Sequence, residues 1–332
     1  MLRVFLTVDT EVWPRAESWP HTPLAADQTC DREIEVYLHG GKIEPRFGIA
    51  YQLATLARNR LKATFFIDPL FSLALGVKPL VRVLEPIHEH GQEVGLHLHP
   101  EWLTDPRCVG LPDFAGPCLW QYGVEDQRRL VRAGLARLLE AGARVIRVFR
   151  AGSYAANRDT LTALRGAGIR IDSSLNACHA ESFPDLERRE EIRAPSHLDG
   201  IVELPVTTFV DRPPHGRRPL QLAACSLSEI RYVLEHAEAT GWPAVVIVMH
   251  SFELMQIGRF QGTGLVAHSK VLVRRFERLC EYLAANRERM RTAHFSELDL
   301  ASLQAPDGTP DIVSSALRTT ARQVEQIISR FH

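Results

Sequence analysis

The sequence predicts an α/β protein, a distorted (β/α) barrel of seven or eight strands. Three observations carry this. Short, nearly continuous apolar runs rich in β-branched and aromatic residues alternate with longer amphipathic segments, as in βα units around a parallel sheet covered on both faces. There are seven or eight such units, and no glycine-rich dinucleotide turn follows the first strand, which favours a closed or nearly closed barrel over an open sheet. The long connections all follow strands, so they crowd the face where a βα barrel builds its site.

Strands are expected at 3–8, 63–67, 93–97, 145–149, 169–172, 201–205 and 244–249, with a shorter eighth at 291–295. Helices are expected at about 49–60, 78–90, 125–141, 157–167, 227–240 and 268–286. The segment EDQRRLVRAGLARLLEA at 125–141 spaces Leu130, Leu135, Leu138 and Leu139 for one helical face, with Gly142 as its stop. Long loops fall at 12–47, 99–124, 174–200, 206–226 and 251–267. No interdomain linker is visible. The barrel is assigned to residues 1–300, and 301–332 to a tail whose helix, 312–331, packs on its outside.

The 332 residues are 45% hydrophobic, enough for a large core, and the net charge is −1. Arg128-Arg129, Arg217-Arg218 and Arg274-Arg275 are isolated basic pairs rather than the stripe a nucleic-acid binder needs. No apolar run approaches the ~18 residues of a membrane span. The opening MLRVFLTVDTEVW is too short in its apolar part for a signal peptide, so a cytoplasmic location is expected. Six cysteines without a Cys-x-x-Cys pair fit reduced thiols better than a zinc knuckle or a disulfide frame.

The strand ends carry the chemistry. Asp9 and Glu11 follow strand one, Asp68 strand two, His97 and His99 strand three, Arg150 strand four, Asp172 strand five and His250 strand seven. Residues two apart in extended backbone point the same way, about 6.6 Å apart. His97 and His99 in GLHLHPEW can therefore converge on one ion, and so can Asp9 and Glu11. Two imidazoles and a carboxylate form a usual set for catalytic zinc or a similar divalent ion, with a position left for water. One acid of Asp9-Thr10-Glu11 would bind the metal, and the other would stay free as a base. The bland alternative is a satisfied histidine pair under a loop.

VDTE, GLHLHPEW, FRAGSY, IDSS and VIVMHS, in this order and on these strands, resemble the five motifs of the NodB-type polysaccharide deacetylases, carbohydrate esterase family 4. The likeness spans about residues 2–255, and its flavour is that of the WalW-like branch acting in cell-wall or surface-polysaccharide metabolism. The resemblance implies that Asp9 is the base and that Glu11, His97 and His99 bind one divalent metal, zinc first, with cobalt, nickel or manganese as substitutes. It implies that Arg150 orients the base, that a backbone N–H at Tyr154 serves the oxyanion, and that Asp172 sets the charge and tautomer of the general acid His250. The family usually has His-x-x-x-His. Four residues after His97 lies Glu101, so either His99 or Glu101 is the second motif-two ligand, and His99 is preferred.

The implied reaction is metal-dependent hydrolysis of a carbon–nitrogen bond, with an N-acetylated sugar or a related small amide as substrate. A divalent ion lowers the pKa of bound water toward ~7, and an acid must protonate the poor amine leaving group. Trp102, Trp120, Tyr122, Tyr154 and Phe252 are candidates to stack on a sugar, and Arg212 or Arg217 to meet a phosphate or uronate. Amidohydrolases and phosphoesterases that use His-x-His usually place it on the first strand, unlike here. A deformylase or cyclic-amide hydrolase, and a degenerate glycan-binding barrel, are the remaining alternatives.

Overall fold

The computed structural model describes residues 1–14, 19–20, 30–41, 44–211, 216–256, 267–300 and 309–331. In chain order the elements are β1 (Leu2–Thr10), α1 (Asp31–Ile34, continued by a π turn Glu35–His39), α2 (Ile49–Arg58), β2 (Ala63–Ile67), α3 (Phe71–Leu75) and α4 (Lys78–Glu89). Then come β3 (Glu93–Leu98), α5 (Val124–Glu140), β4 (Val148–Ala151), α6 (Arg158–Gly166), β5 (Ile171–Asp172), β6 (Ser196–Leu198), β7 (Ile201–Glu203), β8 (Thr208–Val210) and β9 (Arg217–Pro219). The chain continues through α7 (Leu227–Ala239), β10 (Ala244–His250), α8 (Lys270–Ala285), β11 (Met290–Thr292) and α9 (Ala316–Phe331).

The main sheet runs β10-β1-β2-β3-β4-β5-β7-β6, with β11 beside the lower half of β1. Every pairing in it is parallel except β6 with β7. The sheet curls into a half-barrel, and irregular backbone spans the gap between β7 and β10. Leaving β7, Thr207 N donates to Val246 O at 3.3 Å, and Val246 N donates to Thr207 Oγ1 at 2.9 Å. Further along, Leu222 N donates to Val248 O and Val248 N to Leu220 O. The nearly closed barrel read from the sequence is the observed fold.

Period-two alternation divides two cores. On β1, Leu2, Val4, Leu6 and Val8 pack outward into the layer beneath the helices. Phe5 faces the lumen with Phe66, Val148, Ile171, Val202, Leu204, Val246 and Phe295. Phe5 and Phe295 stack at 4.7 Å and plug the lower end. Above Phe5 the same row presents Thr7 and then Asp9, so the lumen passes from apolar floor to polar mouth along a single strand.

The eight expected strands and six helices are all found. Strand four begins three residues later than expected, at Val148, because Val145 lies in the turn after α5 with 74% of its surface exposed. α3 and the elements within the long loops (α1, β6 and the antiparallel hairpin β8–β9) have no periodic signal long enough to read. Before α9 the tail pairs with β8, Val210 N donating to Ile312 O and Ser314 N to Val210 O, both at 2.8 Å. The expected boundary at 300/301 borders residues 301–308, outside the described residues, as does Arg212. Among the described residues no helix is long and apolar enough to cross a membrane.

Candidate active site

Register brings the polar strand ends to one level. Asp9 on β1 lies opposite His250 on β10, and His97 on β3 opposite Arg150 on β4. Arg150 is fully buried across the lumen. Its Nη1 donates to Asp9 Oδ1 at 2.7 Å and to Thr7 Oγ1 at 2.9 Å, and Nε and Nη2 donate to Ser173 O and Ser173 Oγ. The guanidinium also lies 4.3 Å from the centroid of the Phe66 ring. Phe66 fits there because Gly95 has no side chain, a Cβ at that position falling 2.6 Å from the ring. Five contacts thus fix one cation against one carboxylate, as burial of both requires.

Beyond the strand, Glu11 turns its carboxylate to the histidines. Glu11 Oε2 is 2.6 Å from His99 Nε2 and 4.0 Å from His97 Nε2, and the two imidazole Nε2 atoms are 3.1 Å apart. His97 Nδ1–H donates to Arg150 O at 2.7 Å, which leaves Nε2 facing the cluster. His99 Nδ1 faces Glu101 Oε2 at 3.3 Å. Glu101 therefore backs His99 from behind, and His99 takes the place in the cluster. Gly152, just past β4, allows this approach, since a Cβ there would lie 2.6 Å from His99 Nδ1.

Among the described residues, Glu11, His97 and His99 are the group whose ligand atoms could hold a metal ion, all within 4.8 Å of one another. Atoms bound tetrahedrally at 2.0–2.2 Å lie roughly 3.3 Å apart, so the spacing suits one small divalent ion. Burial raises the Glu11 pKa, but His99, His250 and His97 outweigh it and bring the carboxyl to about 2. Burial and the neighbouring His99 push His97 down to about 4. Burial opposes the charge on His99, yet Glu11 and Glu101 raise it well above the usual imidazole range. Asp68 is also buried here, Oδ1 accepting from Leu70 N, and burial lifts it to about 7.

His250 closes the other side. Its ring Nε2 is 3.6 Å from Glu11 Oε1, and its side chain is 24% exposed, against 6% or less for Asp9, Glu11, His97 and His99. Of these five side chains His250 is the one open to solvent. The carboxylate that holds this ring is not Asp172. Ile171 and Ser173 take the lumen-facing positions of β5, so Asp172 between them points the other way, accepting from Ser174 Oγ at 2.5 Å beside Glu203. Glu253 does the work instead, Oε2 accepting from His250 N at 2.7 Å and lying 3.2 Å from its Nδ1. The signal in the sequence was an acid three residues after a strand-end histidine, in a tight turn. Burial disfavours the charged ring, but Glu253, Glu11 and Asp9 raise His250 to about 9.

Tyr154 is buried at the end of β4, where it and Ser153 both adopt left-handed backbone, φ 59° and 51°. Trp102 does not face a substrate. It is fully buried against Phe71 and Trp19, because the 3₁₀ turn Pro100–Thr104 tucks it under the loop. Tyr122 is likewise internal, its hydroxyl donating to Gly116 O and accepting from Ala115 N. Arg217 pairs with Asp311 at 2.7 Å. Phe252 lies 5.1 Å from the His250 ring. Two aromatics that the sequence did not single out border the cluster: Trp13 meets His99 edge-on at 4.5 Å, and Trp19 packs on Trp13.

No protein-family model matches this sequence, and no curated protein does. Solved structures do. A candidate polysaccharide deacetylase from Mycobacterium smegmatis is 18% identical, with a TM-score of 0.55 over 92% of this chain and 94% of that one. A family 4 carbohydrate esterase from Streptomyces lividans, in complex with acetate, is 14% identical with a TM-score of 0.44, over 92% and 98% of the two chains. A 4-alpha-glucanotransferase from Thermococcus litoralis is 12% identical with a TM-score of 0.47, over 94% of this chain and 39% of that one. Over most of its length the chain shares the (β/α) barrel fold of the polysaccharide deacetylases.

Proposed function

We propose that this protein is a metal-dependent hydrolase of carbon–nitrogen bonds, an N-deacetylase of acetamido sugars. One observation supports it above the rest. Glu11, His97 and His99 converge on one point, between an Arg150-anchored carboxylate, Asp9, and a Glu253-held imidazole, His250.

Glu11, His97 and His99 would hold a divalent ion, zinc first, with Glu101 and the Arg150 carbonyl orienting the two imidazoles. Such an ion lowers the pKa of water toward ~7 and polarises an acyl oxygen. Asp9 is the base: Arg150 fixes its carboxylate at the level of the cluster, and it takes the proton of the attacking water. The acyl carbon then becomes tetrahedral, and a backbone N–H of the Gly152–Tyr154 turn would face the oxyanion. His250, held by Glu253, gives its proton to the nitrogen as the C–N bond breaks, so that acetate and a free amine leave. The leaving group sits on the exposed side of His250, with Phe252 beside it. Trp13 at His99 walls the acyl side.

The test is metal content and acetate release. Wild type is expected to take up about one zinc per chain and to release acetate from N-acetyl sugars. His97→Ala and His99→Ala should each lose the metal, and Glu101→Gln should weaken it by about 10-fold, as removal of an orienting partner does. A wild-type protein that takes up no divalent ion after reconstitution overturns the proposal.

A further inference from the structure

Glu253, the partner of His250, is itself held from outside the barrel mouth. Its Oε1 accepts a hydrogen bond from Ala223 N. Ala223 belongs to the irregular 220–224 segment that runs beside β10. The carbonyls of the two residues that flank Ala223 both accept from arginines. Arg275 Nη1 of α8 donates to Leu222 O at 2.6 Å, and Arg218 Nη1 of β9 to Ala224 O at 3.4 Å.

Both arginines lead to α9. Arg275 Nη2 pairs with Glu325 at 3.1 Å. Arg218 donates twice to Asp211 Oδ2, at 2.9 and 2.7 Å, and Arg322 Nη2 donates to the same oxygen at 2.7 Å. Thr319 Oγ1 of α9 satisfies the other Asp211 oxygen at 2.7 Å, and Arg322 Nε reaches Glu229 Oε1 on α7 at 3.1 Å. Asp211, Thr319, Arg322, Glu229 and Arg275 are all buried. Two separate routes from one helix therefore end on five consecutive residues, and the amide at their centre bonds the carboxylate behind His250.

We propose that α9 is a positioning element of the site: Arg322 and Glu325 fix the 220–224 backbone, its Ala223 N–H aims Glu253, and Glu253 aims His250. The inference rests on the reading of His250 as the acid. Arg322, Glu325, Asp211, Arg218 and Arg275 are linked to the site through this chain of contacts. Ionic links fit the task better than apolar packing, because directed hydrogen bonds fix the rotation of a carboxylate, which packing alone does not.

The experiment uses the full chain and the variants Arg322→Gln, Glu325→Gln, their combination, Arg322→Lys and, as reference, Glu253→Gln. Acetate release from N,N′-diacetylchitobiose gives kcat and KM. The histidine ring resonances of the metal-free protein report the setting of His250 without activity. The combined variant is expected to lose about 10-fold in kcat with KM unchanged and zinc uptake intact, the size seen when an orienting partner is removed. Its His250 resonances should move in the direction that Glu253→Gln moves them, and Arg322→Lys should recover most of both effects. A lowered Tm with kcat and the His250 resonances unmoved would show α9 to be packing alone and would overturn the inference. Should wild type release no acetate from any amide, the hydrolase reading falls, and the resonances alone decide the link between α9 and His250.

Discussion

At the scale of single residues the site depends on how closely two strand ends approach. Gly152 is the sharpest case. A methyl group there meets both His99 Nδ1 and Leu98 O at 2.6 Å. The carbonyl cannot yield without disturbing β3, so the imidazole must turn. Gly152→Ala should therefore weaken zinc binding by about 10- to 100-fold, read by competition with a chromophoric chelator, while far-ultraviolet circular dichroism stays that of wild type. Much of this residue level was legible beforehand. Strand-end positions named Asp9, Glu11, His97, His99, Arg150 and His250, because a period of two and a common strand direction place such residues together. Of the two candidates left open in motif two, His99 lies in the cluster and Glu101 lies behind it. Asp172 was assigned to the wrong partner because a two-residue strand gives no register to read, and Glu253 was missed because a turn contact has no period.

At the scale of elements, height in the barrel is set by register. The β1 row climbs from Phe5 through Thr7 to Asp9, and β11 supplies the stopper beneath it. Phe295, just beyond β11, stacks on Phe5 at 4.7 Å and meets Phe66 edge-on at 5.8 Å. Phe66 in turn carries Arg150. Phe295→Ala should cost about 3–5 kcal/mol, the range for emptying a buried phenylalanine site, measured as a shift in the denaturant midpoint. Zinc stoichiometry should survive wherever the variant is folded, since no ligand touches Phe295. Strands and long helices were readable because their apolar spacing is sustained. The short elements α1, α3, β6, β8 and β9 were not, because tertiary contacts rather than local pattern hold them.

At the scale of the molecule, a buried ionic knot joins α9 and the β8–β9 hairpin to the barrel, beside the apolar anchors Phe209 and Ile312. Burial opposes the charge of Asp211, but Thr319, Arg218 and Arg322 hold its pKa below the usual carboxylate value. A carboxyl depressed in the folded state stabilises it above the unfolded pKa of about 3.9 and loses that contribution as pH falls through the lower folded value. Asp211→Asn should thus cost about 3 kcal/mol at pH 7, and its gap from wild type should narrow as pH falls below about 4, in urea titrations run at each pH. A gap that does not change with pH would leave the carboxylate's charge no role in the knot.

The placement of Glu11 and the two histidines has a mechanical consequence. Glu11 extends β1 and His97 lies on β3, two strands that do not pair, with β2 between them. An ion held by both, as proposed, would be a clasp across the rim, tying strands that the hydrogen-bond ladder joins only indirectly. The lower end has its own fastening in the stacked Phe5 and Phe295. If the proposed ion is held there, its loss would slacken the rim while Arg150 kept Asp9 in place, and the lower end would stay fastened, so the site would loosen before the fold did.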